Sequence, residues 1–356
     1  MWIIPVLRRS IKETRGAILL IKRGSLNSIV PFIPQYPKDA LSWNDAGPSI
    51  LNSMEMKITP SPPFDFELSS IIFSDGDAQY RRYENGKFWQ VIRLDGKLIL
   101  ITVTSTGNVD KPQLSIELSS SEEITYNDRK LVEEFIVSIF NLDFDLEQFY
   151  ESIKNDKLMS TVARRLRGLR SPTTQTVFES LVDSIVEQQI SLKAAHTIQM
   201  KMIKNFGDNL KIGNRIYYAF PEPQKLASLN LEMLKRCGLS LKKSEYIGDI
   251  SRSITEGNLD LENFKNHENT KEIIEELCKI RGIGIWTAEL TMIRGMHKLE
   301  SFPADDIGLR RIISHYYCND KEITAMEGRR IAENWGKWKG LAGYYLLIAE
   351  KLGIKI

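Results

Sequence analysis

Two hydrophobic periods divide the chain. From about residue 57 to 118, apolar positions come in short runs rich in β-branched and aromatic residues, which predicts strands over Phe88–Leu94 and Leu98–Val103. Asp95-Gly96-Lys97 between them is a hairpin signal, Asn85-Gly86 marks a turn after Tyr80–Tyr83, and a further strand is expected over Gln113–Leu118. A helical pattern takes over from Leu131. From about residue 146 the spacing is that of helices throughout: Phe178, Leu181, Val182, Ile185 and Val186, then Ala194, Ala195, Ile198 and Met202, with an end near Gly207. Cys237-Gly238-Leu239 separates two helices, and 273–280, 286–294 and 307–314 are three more. The expected fold is an α+β domain over 57–145, a small antiparallel sheet with one or two helices, followed by an all-α domain over 146–356.

Residues 1–56 follow neither period. Short apolar pieces alternate with Pro5, Pro31, Pro34, Pro37 and Pro48, and a second possible start, Met54-Glu55-Met56, precedes Pro60-Ser61-Pro62-Pro63. This stretch reads as an N-terminal extension, either flexible or a product of start-site choice.

Composition narrows the function classes. The 356 residues are 42% hydrophobic and 26% charged with a net charge of +2, which excludes a mainly disordered or fibrous chain. The apolar run Ile18–Ile21 stops at Lys22, too short for a signal-peptide core, and no run spans a bilayer. An intracellular protein is expected, in the cytoplasm or nucleoid if its source is prokaryotic, without membrane contact. Cys237, Cys278 and Cys318 form neither a disulfide framework nor a zinc or iron–sulfur spacing, and the four histidines show no metal-ligand spacing. The small net charge leaves room for a local basic face, so nucleic acid stays open as a partner.

The most informative segment is Leu277–Glu289. A helix ends at Gly282, turns through Gly282-Ile283-Gly284, and restarts at once. The glycines permit positive φ and a close backbone approach, Ile283 would plug the turn into the core, and the new helix offers unpaired N–H groups to a phosphate. A bare Gly-x-Gly is also an ordinary helix–helix turn. With Leu277 and Ile280 before it and Thr287-Ala288 after it, however, the segment resembles a helix-hairpin-helix, an element that grips the duplex backbone without reading sequence.

Four blocks extend that likeness: Pro62–Phe66, Phe178–Val182 through Glu187–Ser191, the hairpin, and Phe302–Asp306. Together they resemble the helix-hairpin-helix (HhH-GPD) superfamily of DNA glycosylases, near the 3-methyladenine DNA glycosylase II branch, over roughly residues 57–350. The resemblance implies a catalytic aspartate at the start of the helix after the hairpin. Asp306, 24 residues beyond Gly282, is the first choice and Asp305 the second. A carboxylate suits the task because breaking an N-glycosidic bond builds positive charge on the sugar. Asp is also among the best helix caps, so one aspartate is expected to cap and the other to work.

The resemblance further assigns DNA contacts to Gly282, Ile283, Gly284 and Thr287, and the intercalating probe to Gln188 and Gln189 beside Ile190. It assigns a substrate pocket to Trp286, Leu290 and Leu347. Superfamily members that also cut the strand use a lysine where Trp286 stands, so a monofunctional enzyme is implied. It would remove alkylated, 3-methyladenine-type purines from double-stranded DNA, with deaminated purines as a further class, and leave an abasic site. No cofactor or catalytic metal is implied beyond a structural monovalent cation at the hairpin, and a monomer suffices. Leu290 and Leu347 depart from the aromatics of a well-known member type; Tyr344, Tyr345, Trp335 and Trp338 are possible replacements, and Ile72 or Phe73 a further wall. Two alternatives stay open at this point: an oxidised-purine glycosylase with strand-cutting activity, and a catalytically silent protein that senses lesions.

Overall fold

The computed structural model describes residues 52–354. Within them, five antiparallel strands form one sheet in the order β1-β5-β4-β3-β2: β1 Asn52–Ile58, β2 Arg81–Glu84, β3 Lys87–Leu94, β4 Lys97–Ser105 and β5 Leu114–Ser120. The two dipeptide signals set its register. Glu84 pairs with Lys87 and Leu94 with Lys97, so Asn85-Gly86 and Asp95-Gly96 are two-residue loops. All four loop residues have positive φ, between 48° and 82°, as the tight turns matched to strand twist require.

Alternation along β4 decides which face is covered. Ile99, Ile101 and Val103 are fully buried and meet Phe88, Ile116 and Leu118 beneath Val132, Phe135, Ile136 and Ile139 of a long helix. That helix begins at Tyr126, five residues before the expected Leu131, because Thr125 and Asp128 close a capping box ahead of it. β1 corrects the domain reading: residues 52–56, assigned to the extension, are a strand paired with β5. Residues 1–51 of that extension lie outside the described residues.

The α-helices are α1 Phe66–Ser70, α2 Tyr126–Ile139, α3 Leu146–Ser152, α4 Lys157–Arg165, α5 Val177–Glu187, α6 Leu192–Phe206, α7 Pro223–Ala227, α8 Leu231–Arg236, α9 Leu241–Thr255, α10 Thr270–Lys279, α11 Ile285–Met296, α12 Ile307–Tyr317, α13 Ala325–Ala332 and α14 Lys339–Lys351. The expected end at Gly207 and break at Gly238 are both present, the latter with φ 106°. One departure interrupts the helical half. Asn209–Ile212 and Arg215–Tyr218 form a hairpin, β6 and β7, turning at Gly213-Asn214. Its Leu210 and Tyr217 pack on Val91 and Leu100, the sheet face that α2 leaves uncovered.

A second core holds the hairpin segment in place. Leu181, Val182, Ile185 and Val186 of α5 pack against Ile247, Ile273, Leu277, Ala288 and Met292. α5 and α11 run antiparallel and very close: a Cβ on Gly295 would fall 2.8 Å from that of Ser180 and 3.1 Å from the Val177 Cα. No helix of the described residues is long and apolar enough to cross a membrane.

Candidate active site

The turn between α10 and α11 is built as its sequence suggests, with one glycine doing what two were expected to do. Gly282 has φ 91°, and a Cβ there would lie 2.3 Å from the Tyr246 ring. Only glycine fits both demands. Gly284 instead has φ −104°, open to any residue, and a Cβ there would meet nothing within 4 Å. It is exposed and caps α11 without a side chain, so the first N–H groups of α11 face outward beside open space. Ile283, 6% exposed, plugs the core. Any DNA contact at Ile283 would therefore be through its backbone, since the side chain is buried.

Two further assignments change for the same kind of reason. Thr287 is 2% exposed, and its hydroxyl accepts a hydrogen bond from Gln188 Nε2 at 3.0 Å. The same amide donates to the Gly282 carbonyl at 3.0 Å. Gln188 is thus turned inward as a tie between the end of α5 and the hairpin, and does not probe outward. Gln189 is the residue presented, exposed and held at φ 55° in the left-handed region. Lys243 fixes this loop from below, donating to the carbonyls of Val186 at 3.0 Å and Gln188 at 2.6 Å. Burial pulls the Lys243 ammonium below its ordinary pKa.

Charge around the hairpin is largely paired. Arg281 stacks on Tyr246 and bridges to Glu245, and Lys279 pairs with Glu276. Lys193 and Lys242, in the first turns of α6 and α9, are exposed without ion pairs among the described residues. For a hard monovalent cation the turn offers backbone oxygens. The Ile280 and Gly282 carbonyls each accept one hydrogen bond, from Ile283 N and Gln188 Nε2, and each retains a second lone pair.

The two aspartates separate cleanly. Asp305 is exposed, its side chain 54% accessible and 4.0 Å from Arg329. Asp306 is 2% exposed and is the N-cap of α12, its Oδ1 accepting from Leu309 N at 2.7 Å. Its Oδ2 accepts from Trp286 Nε1 at 3.2 Å. Capping and the candidate chemistry therefore meet in one residue through its two oxygens, where a division between neighbours had been expected. Trp286 projects from the second position of α11 and keeps some of its surface open. Leu290 and Leu347 are 2% and 4% exposed, so both are packed in the interior. Of the four aromatics near the last helix, Trp335, Trp338 and Tyr345 are core residues; Tyr344 alone remains partly open.

Comparison with known proteins agrees with this geometry. Residues 182–337 match the HhH-GPD superfamily base excision DNA repair protein family, and residues 60–181 match the 8-oxoguanine DNA glycosylase N-terminal domain. The chain is 32% identical over 263 residues to a DNA-3-methyladenine glycosylase of Bacillus subtilis, covering 74% of this chain and 86% of that one. Among solved structures, a 3-methyladenine DNA glycosylase from Archaeoglobus fulgidus superposes with a TM-score of 0.74 at 25% identity, covering 85% of this chain and all of that one. An 8-oxoguanine glycosylase/lyase from Clostridium acetobutylicum, bound to double-stranded DNA, shares the fold at TM-score 0.66 and 23% identity, over 85% of this chain and 99% of that one. A hairpin tied to the Gln188–Gln189 loop, with a buried aspartate capping the helix beyond it, thus sits in a chain that belongs to the HhH-GPD superfamily of base-excision DNA glycosylases, with DNA-3-methyladenine glycosylases among its relatives.

Proposed function

We propose that the protein is a monofunctional glycosylase for alkylated purines, working as a monomer on duplex DNA, with Asp306 as its catalytic carboxylate. The observation that carries this reading is the Trp286–Asp306 contact of 3.2 Å. It joins an aromatic ring suited to a cationic base with an anion suited to the cationic sugar. A methylated purine already bears positive charge and departs with the glycosidic electron pair as a neutral base. The sugar is left oxocarbenium-like, and Asp306 faces that charge with both oxygens fixed by hydrogen bonds to Leu309 N and Trp286 Nε1. Water adds to the anomeric carbon and gives up a proton, which the carboxylate can accept and pass to solvent. The product is an abasic site in an intact strand.

Extrusion of the base needs a grip and a probe. The backbone N–H groups at the Gly284 end of α11, with Lys193 and Lys242, supply the grip on phosphates. Gln189 supplies the probe. No cofactor enters the chemistry, and a cation at the hairpin carbonyls would stiffen the turn.

Strand cutting does not belong to this reading. The superfamily's strand-cutting lysine is replaced by Trp286, and Lys279 lies before the turn, paired with Glu276. The competing reading draws on the 8-oxoguanine-type match over residues 60–181 and would make the target an oxidised purine. Methylated duplex incubated with the protein tests both. Free 3-methyladenine, with strand breaks appearing only after alkali, supports the first; a borohydride-trapped covalent adduct on 8-oxoguanine duplex overturns it.

A further inference from the structure

Beyond Trp286, the same face of α11 is not apolar alone. Along α11, positions 286, 290 and 294 share one face at four-residue spacing, so Arg294 lies two turns beyond the Trp286 ring, past Leu290. The adjacent antiparallel helix α5 carries its own four-residue series, Glu179, Asp183 and Glu187. The ends of this series are satisfied. Glu187 accepts from Arg294 at 3.0 Å with both carboxylate oxygens. Glu179 accepts from Tyr80 Oη at 2.7 Å and pairs with Arg81 at 3.3 Å, and Arg81 in turn lies over Phe73.

The middle is not satisfied. Asp183, between the two pairs, has no hydrogen bond or ion pair among the described residues and is partly open. Tyr344 lies on α14. Its ring is partly open to solvent, but its hydroxyl oxygen is buried and has no hydrogen-bond partner among the described residues. Arg294 is the charged neighbour common to both. A buried hydroxyl without a partner is disfavoured in the unliganded protein and becomes favourable when a ligand supplies the missing partner.

We propose that Asp183 and Tyr344 are specificity-determining residues, a polar floor that hydrogen-bonds the edge of the extruded purine while Trp286 covers its face. This rests on the reading of Trp286 and Asp306 as the excision site. The ligand class is a purine whose edge carries a donor beside an acceptor. Such an edge is matched by the Tyr344 hydroxyl, which donates or accepts, together with the Asp183 carboxyl oxygens, which accept. The Glu187–Arg294 pair is satisfied internally and acts as a wall.

The test is binding, so it does not depend on turnover. Full-length protein is titrated with duplexes whose lesion sugar carries a 2′-fluorine, which blocks hydrolysis. Hypoxanthine and 7-methylguanine, each with a donor beside an acceptor, are compared with unsubstituted purine, which has no exocyclic donor or acceptor. Wild-type protein is expected to favour the first two about tenfold or more, roughly what one or two buried hydrogen bonds supply. Tyr344→Phe and Asp183→Leu, which remove the hydrogen-bonding groups, should each cut that preference at least fivefold, with affinity for an abasic duplex unchanged as proof of folding. Preference within twofold of wild type in both variants, or no preference in wild type, overturns the proposal. The site reading fails separately: if Asp306→Asn retains base release while Tyr344→Phe loses discrimination, the floor stands and the assignment of Asp306 falls.

Discussion

The side-chain amide of Gln188 donates to the Gly282 carbonyl and to the Thr287 hydroxyl, each at 3.0 Å, so the end of α5 and the turn between α10 and α11 are held by one residue. The Gln188 carbonyl meanwhile accepts from Lys243. The loop that presents Gln189 is therefore braced on both sides before any duplex arrives, and its left-handed φ is maintained by that bracing.

Replacing the tie and the probe should separate stability from function. Gln188→Ala leaves a buried hydroxyl and carbonyl short of a partner and should cost about 1–3 kcal/mol. Gln189→Ala removes an exposed side chain and should leave the denaturant midpoint unchanged. Base release from duplex should nevertheless fall in both, and in Gln189→Ala the loss should shrink when the lesion sits in a single strand.

The two hairpin glycines should respond oppositely. Gly282→Ala combines positive φ with a Cβ 2.3 Å from the Tyr246 ring and should destabilise the fold by about 1–3 kcal/mol. Gly284→Ala places its methyl in open space and should leave the melting temperature near wild type. If a phosphate approaches there, the same methyl weakens DNA binding, read as a rise in Kd on abasic duplex.

Asp306→Asn keeps an oxygen for Leu309 N, and Asn caps as well as Asp, so stability should hold while base release falls by about 10²–10³-fold or more. Asp306→Ala should add a capping loss of about 1 kcal/mol. Asp305→Asn, at an exposed side chain 4.0 Å from Arg329, should change base release less than threefold. Single-turnover rates and melting curves on the three variants check the set.

Stability should carry a pH signature from α5. Burial first, then Glu179 and Glu187, push the Asp183 carboxyl well above the usual range, against the opposing pull of Arg81 and Arg294. In the unfolded chain it ionises near about 4. Folding therefore binds a proton above that pH, and stability falls as pH climbs from about 4 toward the raised folded value. Asp183→Asn removes this cost. The variant should match wild type near pH 4 and exceed it at pH 7 in chemical denaturation.

Much of this was legible along the chain because its causes are local. Asn85-Gly86 and Asp95-Gly96 need only their own φ preference, and an aspartate cap at the start of α12 was expected from the residue type alone. What stayed hidden depends on contacts between distant segments. β1 alternates Met54, Met56 and Ile58 with polar residues after a proline-rich stretch, and it becomes a strand by pairing with β5. β6 and β7 are four residues each, too short for a period to show, and are fixed by Val91 and Leu100. Local spacing could not say that the Gln188 amide turns inward, since Gly282 and Thr287 lie far along the chain. Asp183 and Tyr344 sit on helices far apart along the chain, about which local spacing says nothing.

That packing makes Gly295 a pivot for genetic variation. With no room for a methyl group against Ser180 and Val177, a larger residue there must push α5 and α11 away from each other. One end of the pair carries the Gln188–Gln189 loop and the hairpin, the other the proposed polar floor. A substitution at Gly295 touches neither DNA nor base, yet it would move the receptor relative to the grip. Alleles at this silent-looking glycine should therefore mimic active-site defects, with lesion recognition lost before the protein unfolds.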